Sequence, residues 1–290
     1  MAKLSLHPFP ARMAPELAFE TINLLQKNAV VLDPMSGSGT SLHIAAKHGC
    51  KALGRDVEPL ALLLSGIWNV KFDLDNFLKK ADSFSNRILE FSCRSVPWFD
   101  EETKQFADYW FAERQQIQLS KIASAIAELK MSKYHPIYLA ALSRCIITKD
   151  KGASLARDVS HAKPHRVRDE NDYDVWAGFF TNLKLIAHQL SAYDGSGKIN
   201  VKADDARELK TVPDKSIDCI ITSPPYLNAV DYFRGHRLSL IWMGYTINEI
   251  RQLRAKSIGL EKQPDDYSDP DFVKVLFKNA GDFESLPLKN

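Results

Sequence analysis

The sequence predicts an α/β protein in which a parallel sheet draws on both ends of the chain and a large helical insertion lies between them. Three observations carry this. Short apolar runs at Val30–Leu32, Ala52–Asp56, Ile199–Asp204 and Ile217–Ile221 end on polar or Gly/Pro-rich segments, as strands buried on both faces do. A glycine-rich turn joins the first run to a helical stretch and a second run, which makes a βαβ unit with a right-handed crossover. Between Phe72 and Ser196 the periodicity is helical and no convincing strand is found. These shifts divide the chain into 1–71, 72–196 and 197–290.

Each element follows from local signals. His7-Pro8-Phe9-Pro10-Ala11-Arg12-Met13 is extended or turn-like, because proline restricts the residue before it. Pro15-Glu16 opens a helix that runs to Leu25, with proline and an acid in the first turn. Val30–Leu32 is a strand, Ser41–His48 a helix stopped by Gly49, Ala52–Asp56 a strand and Pro59–Val70 a helix. Helices are predicted over Phe77–Phe91, Glu101–Met131, Pro136–Ile147 and Asp174–Tyr193. Lys149 to Asp172 is read as one exposed basic loop. The strands at 199–204 and 217–221 resume the sheet, and Val230–Tyr245 and Ile247–Ser257 are helical. A short helix is predicted at Asp271–Lys278 in the mixed tail.

Composition sets limits on function. The chain has 290 residues, 45% hydrophobic and 26% charged, so a sizeable core is expected. A net charge of +2 says little about partners, so any nucleic-acid signal must be local. The four cysteines lack CxxC spacing, so neither a metal site nor a disulfide framework is expected. No apolar run approaches the ~20 residues that span a bilayer, and Met1–Pro10 has no apolar signal core. A cytoplasmic protein without membrane or metal is the expectation.

Two loops carry chemistry. The turn Asp33-Pro34-Met35-Ser36-Gly37-Ser38-Gly39-Thr40 allows close backbone approach to a ligand at Gly37 and Gly39. It stands at the carboxyl end of a strand, where open α/β sheets bind ligands. It lacks both the Gly-Lys-Ser/Thr of a phosphate loop and the third glycine of a dinucleotide fingerprint. Asp56, ending the next strand, suits a ribose diol; Glu58 reads instead as a helix cap. Asp204 or Asp205, ending the third strand, suits the exocyclic amine of an adenine, with Asp204 preferred.

The second loop is Thr222-Ser223-Pro224-Pro225-Tyr226. Two prolines stop the strand ladder and stiffen the loop. The Ser223 hydroxyl and the Pro224 carbonyl then offer two acceptors to the two N–H bonds of an aryl amine. Such an amine is a poor nucleophile because its lone pair is delocalised, and this arrangement aims that lone pair at a methyl donor. Tyr226 would stack on a base drawn out of the duplex. No Pro-Cys occurs, which disfavours methylation of cytosine carbon 5.

These residues resemble the S-adenosylmethionine-dependent DNA amino-methyltransferases, which make N4-methylcytosine or N6-methyladenine. The resemblance covers roughly 1–70 and 198–245. It implies a Rossmann-like class I methyltransferase sheet, and S-adenosylmethionine and DNA as ligands. His7 to Ala18, with Pro10, resembles the family's segment near the methionine moiety. Asp33, Pro34, Ser36, Gly37, Gly39 and Thr40 resemble the cofactor loop, Asp56 the ribose acid, and Asp204 or Asp205 the adenine acid. Ser223, Pro224, Pro225 and Tyr226 resemble the catalytic loop. Serine in its first position is more typical of N4-cytosine enzymes, whereas the order of the two loops is the reverse of many of them.

The family sheet has seven strands and about four are found here, so the sheet is expected to be incomplete. A second polypeptide, or sequence lost by truncation, is expected to cover the apolar edge left by the last strand. Lys149, Lys151, Arg157, Lys163, Arg166 and Arg168 are the expected phosphate contacts. Two other readings remain open: methylation of a guanine N2 amine in RNA, and a catalytically incomplete cofactor-binding subunit.

Overall fold

The computed structural model describes residues 6–9, 13–70, 72–148, 151–157, 164–225 and 231–258. It is an α/β fold with a four-stranded parallel sheet and large helical additions. In chain order come α1 (Pro15–Ile22), β1 (Val30–Asp33), α2 (Thr40–His48), β2 (Lys51–Asp56) and α3 (Pro59–Gly66), which runs into a 3-10 turn at Ile67–Asn69. The insertion holds α4 (Leu74–Glu90), α5 (Glu101–Trp110), α6 (Glu113–Glu128), α7 (His135–Ile146), β3 (Ala156–Arg157), β4 (His165–Arg166) and α8 (Val175–Ser191). Then follow β5 (Ile199–Ala203), β6 (Cys219–Ile220), α9 (Tyr232–Leu240), a 3-10 turn at Ile241–Met243, and α10 (Ile247–Ala255).

The sheet order is β5-β2-β1-β6. Val31 pairs with Ala52 on one side and Cys219 on the other, and Gly54 pairs with Val201. All pairings are parallel, so all four carboxyl ends open on one edge of the sheet. Local chemistry fixes the helix boundaries. Asp73, Asp100 and Asp174 cap α4, α5 and α8 with their carboxylates, and Thr246 with Glu249 forms a capping box on α10. Gly49, in the left-handed region at φ +93°, ends α2.

The insertion shares one continuous hydrophobic core with the rest of the described protein. Phe77, Phe84, Tyr138 and Phe179 pack ring on ring between α4, α7 and α8. Trp242, after α9, is buried against Phe99 and Phe111, and the Trp98 indole N–H donates to the Ile241 carbonyl at 2.8 Å. The N-terminal segment docks on α7: the His7 Nε2 lies 2.9 Å from the Ser143 hydroxyl, and Arg144 donates to the Leu6 carbonyl at 2.8 Å.

Three local expectations change. The single helix over 101–131 is two helices, broken where Phe111 turns extended (φ −135°, ψ 136°) and packs edge-on against Trp242. Tertiary packing, with no Gly or Pro to mark it, sets that break. The basic loop is neither wholly exposed nor strand-free: β3 and β4 pair antiparallel, and Gly152 to Ala156 are buried, held by the Asn171 side-chain amide donating to the Gly152 and Ala153 carbonyls. The strand over 217–221 shortens to Cys219–Ile220 and is not fully buried, for Ile220 is 60% exposed. The predicted helix at Asp271–Lys278 lies outside the described residues.

The cysteines are free, with Cys50 and Cys145 buried. Among the described residues no helix is long and apolar enough to cross a membrane, and no group of His, Cys, Asp and Glu could hold a metal.

Removing the Trp242 ring should cost about 3–5 kcal/mol. Urea unfolding of Trp242→Ala, followed by circular dichroism, should show one earlier transition. A biphasic melt would instead show that the insertion unfolds apart from the sheet.

Candidate active site

Because the strands are parallel, the loops after β1, β2, β5 and β6 meet at one edge. They surround a cleft that opens to solvent. Asp33, Pro34, Gly37 and Thr40 line it from the first loop, Asp56 from the second, Asp204 and Asp205 from the third, and Ser223 and Pro225 from the fourth. Ser36, Gly39 and Pro224 do not line the cleft. Pro10 and Tyr226 lie outside the described residues, as do Lys149 and Lys163.

The first loop is held by its own backbone and by two carboxylates. Asp33 accepts the Met35 N–H at 3.1 Å and a short hydrogen bond from the Ser41 hydroxyl on α2. Burial raises its pKa against the opposing pull of Ser41, Thr222 and the Met35 N–H. The Gly39 N–H donates to the Ser36 carbonyl at 2.7 Å, and the Ser36 N–H to the Arg55 carbonyl at 2.9 Å. Gly37 and Gly39 take positive φ, +48° and +78°. A Cβ on Gly39 would stand 2.7 Å from the Ser65 Cα, so α2 and α3 meet there backbone to backbone.

Asp56 ties the second loop to the first. One oxygen accepts the Gly37 N–H at 2.9 Å and the other the Glu58 N–H at 3.0 Å. Burial, with Glu58 nearby adding to it, raises its pKa to about 6 against these backbone hydrogen bonds. Glu58 itself caps α3, accepting the Leu60 N–H at 3.2 Å and the Ala61 N–H at 2.7 Å.

The two aspartates after β5 differ. Asp204 accepts the Thr211 N–H at 2.7 Å, the Thr211 hydroxyl at 2.6 Å and the Asp205 N–H at 2.9 Å. Burial pushes its carboxyl up, but these hydrogen bonds together leave the pKa lowered. Asp205 is gripped by the Arg207 guanidinium at 2.8 and 2.5 Å, which lowers its pKa. Beneath both, buried Arg55 donates to the Thr211 hydroxyl at 2.6 Å and to the Gly54 carbonyl at 2.7 Å.

Much of the wall was not anticipated. Phe9 and Tyr232 line the cleft with their rings stacked, centroids 6.1 Å apart. Asp231, Phe233 and Lys256 to Ile258 close it from α9 and the end of α10. The one sequence signal was the extended His7-Pro8-Phe9-Pro10 segment; α9 and α10 reach the cleft by packing.

Comparison with known proteins finds similarity over most of the chain. It is 26% identical over 274 residues to the Type II methyltransferase M.MvaI of Kocuria varians, an alignment covering 84% of this chain and 58% of that protein. It is 23% identical over 257 residues to the Type II methyltransferase M.BsoBI of Geobacillus stearothermophilus, covering 79% and 50%. The Type II methyltransferase M.MjaII of Methanocaldococcus jannaschii is 20% identical over 346 residues, covering 88% and 64%. These relatives are Type II methyltransferases, and the similarity to them covers most of this chain. The chain spans little more than half the length of these relatives. No protein-family model matches it, and no solved structure matches it significantly.

Gly39→Ala combines an unfavourable φ with a backbone clash and should cost at least about 1–3 kcal/mol. Gly66→Ala, at φ −83° with nothing nearer than 3.9 Å, should be neutral or slightly stabilising. Thermal melting of the pair checks both; equal losses would refute the role given to Gly39.

Proposed function

We propose that the chain binds S-adenosylmethionine in the cleft and transfers its methyl group to an exocyclic amino nitrogen of a DNA base. N4 of cytosine is favoured over N6 of adenine, on the serine that opens the catalytic loop. The observation that carries this reading is the convergence of Asp33, Asp56, Asp205 and Ser223 on one cleft.

The donor set suits this cofactor: carboxylates for a diol, an amine and a cationic centre, set among the apolar walls of Phe9, Met13, Met35 and Val57. When bound, the cofactor supplies an electrophilic methyl group on a sulfonium. Asp56 accepts the ribose hydroxyls. Asp204 or Asp205 accepts the adenine amine, for both line the cleft. The loop from Asp33 to Thr40 holds the methionine end, and Phe9 and Tyr232 exclude water. Ser223 Oγ and the Pro224 carbonyl accept the two N–H bonds of the target amine, so that its lone pair points to the methyl carbon. As the new N–C bond forms and the sulfonium S–CH3 bond breaks to leave a neutral thioether, the surplus proton of the amine would pass to solvent. Tyr226 stacks on the displaced base. The compartment is the cytoplasm, and the β6 edge receives strands from a partner polypeptide or a longer form of the chain. A monomer that methylates DNA unaided would rule that out.

Nucleoside mass spectrometry of DNA from cells expressing the chain should detect N4-methylcytosine. N6-methyladenine alone would overturn the choice of base. Ser223→Ala should reduce transfer about 10²–10³-fold and leave cofactor binding unchanged; lost cofactor binding would mean the roles are misassigned.

The pKa of Asp56 adds a pH signature. In the ligand-free protein the folded state keeps a proton that the unfolded chain sheds between about pH 4 and 6, so stability falls as pH rises across that window. Ribose hydroxyls need the ionised form. Affinity for S-adenosylhomocysteine, measured calorimetrically, should therefore hold above pH 7 and fall below about 6. In Asp56→Asn binding should be weak throughout, and that midpoint should vanish. A midpoint that persists would assign the titration elsewhere.

A further inference from the structure

We propose that a track of arginines laid on the aromatic side chains of α5 carries the DNA backbone from the mouth of the cleft to the β3–β4 hairpin. The proposal rests on the DNA reading above and adds a surface to it.

The track begins at the cleft wall. Asp231 Oδ2 accepts Arg254 Nε at 2.9 Å and Nη2 at 2.7 Å, and Arg234 Nε lies 3.2 Å away. Two guanidinium groups thus gather on one carboxylate oxygen at the mouth, which exposed Lys256 also lines. Six residues after Asp231, on α9, Arg237 places its guanidinium 5.1 Å from the Phe106 ring on α5. Arg251 pairs with Glu102 and fastens α10 to α5 at the same point. Tyr109, three residues after Phe106 and on the same face of α5, carries the guanidinium of Arg166, also at 5.1 Å. Arg166 lies on β4, where Nη2 also pairs with Asp169 at 3.0 Å and Nε donates to the Arg168 carbonyl at 3.3 Å.

A guanidinium over a ring is oriented by it while its remaining N–H groups are available to phosphate oxygens, and basic groups interleaved with aromatics suit a nucleic-acid backbone. Of the cations expected in the basic loop, Arg166 belongs to this track, whereas Lys151 is turned to Asp172 at 3.3 Å.

The test is fluorescence anisotropy of the full chain with a short labelled DNA duplex over a range of salt. Arg166→Gln and Arg234→Gln should each weaken binding roughly fivefold at 0.15 M salt and lower the slope of log affinity against log salt by about 1. Arg166→Lys should keep the slope. Arg87→Gln, whose partner Glu128 lies on α6 away from the track, should match wild type. Unchanged slopes in the two glutamine variants would overturn the track, and so would Arg166→Lys behaving like Arg166→Gln, because that marks a packing role. A wild-type chain that binds S-adenosylhomocysteine but no duplex would sink the DNA reading itself.

Discussion

The parallel pairing of β1 with both β2 and β6 is the constraint on which the site depends. A sheet with one strand reversed would send that loop to the opposite edge. Here the Asp33 turn, Asp56, the Asp204–Asp205 pair and Ser223 come from positions nearly 200 residues apart, and strand direction alone brings them to one edge. The connection between β2 and β5 is the length of the helical insertion. It is accommodated because α3 packs on β2 and β5, and α7 packs in turn on α3 and α9.

Within the cleft the carboxylates fall into two electrostatic classes. Asp33 and Asp56, under the glycine turn, are desolvated and carry raised pKa values. Asp204 and Asp205 are held by hydrogen bonds or by a guanidinium and carry lowered ones. A ligand with a hydroxyl-bearing ring at one end and a cationic or amine-bearing group elsewhere meets both classes at once. The apolar walls strengthen each interaction by excluding water.

The first βαβ unit was legible in the sequence because its signals are local. Apolar strands, glycines at positive φ, the cap at Glu58 and the stop at Gly49 all act within a few residues. The break between α5 and α6 was not legible, since Phe111 leaves the helix to reach Trp242, more than a hundred residues on. The tail of β6 misled for a related reason: its apolar residues suggest burial, yet Ile220 faces outward in the described protein. Ser223 and the acids stood out by residue type and place. Tyr232 and Lys256 to Ile258 did not, because their place in the cleft wall comes from how α9 and α10 pack on distant helices.

Buried Arg55 has a consequence for how this protein can change over evolutionary time. Its guanidinium holds the Gly54, Asn200 and Thr211 carbonyls and the Thr211 hydroxyl, and Thr211 in turn holds Asp204. Lysine has no planar fork with which to replace those contacts. Substituting any one of Arg55, Thr211 or Asp204 strands the donors and acceptors of the other two, so the effects of single changes do not add. The three positions are therefore free to drift only together, and lineages that alter one should carry compensating changes at the others.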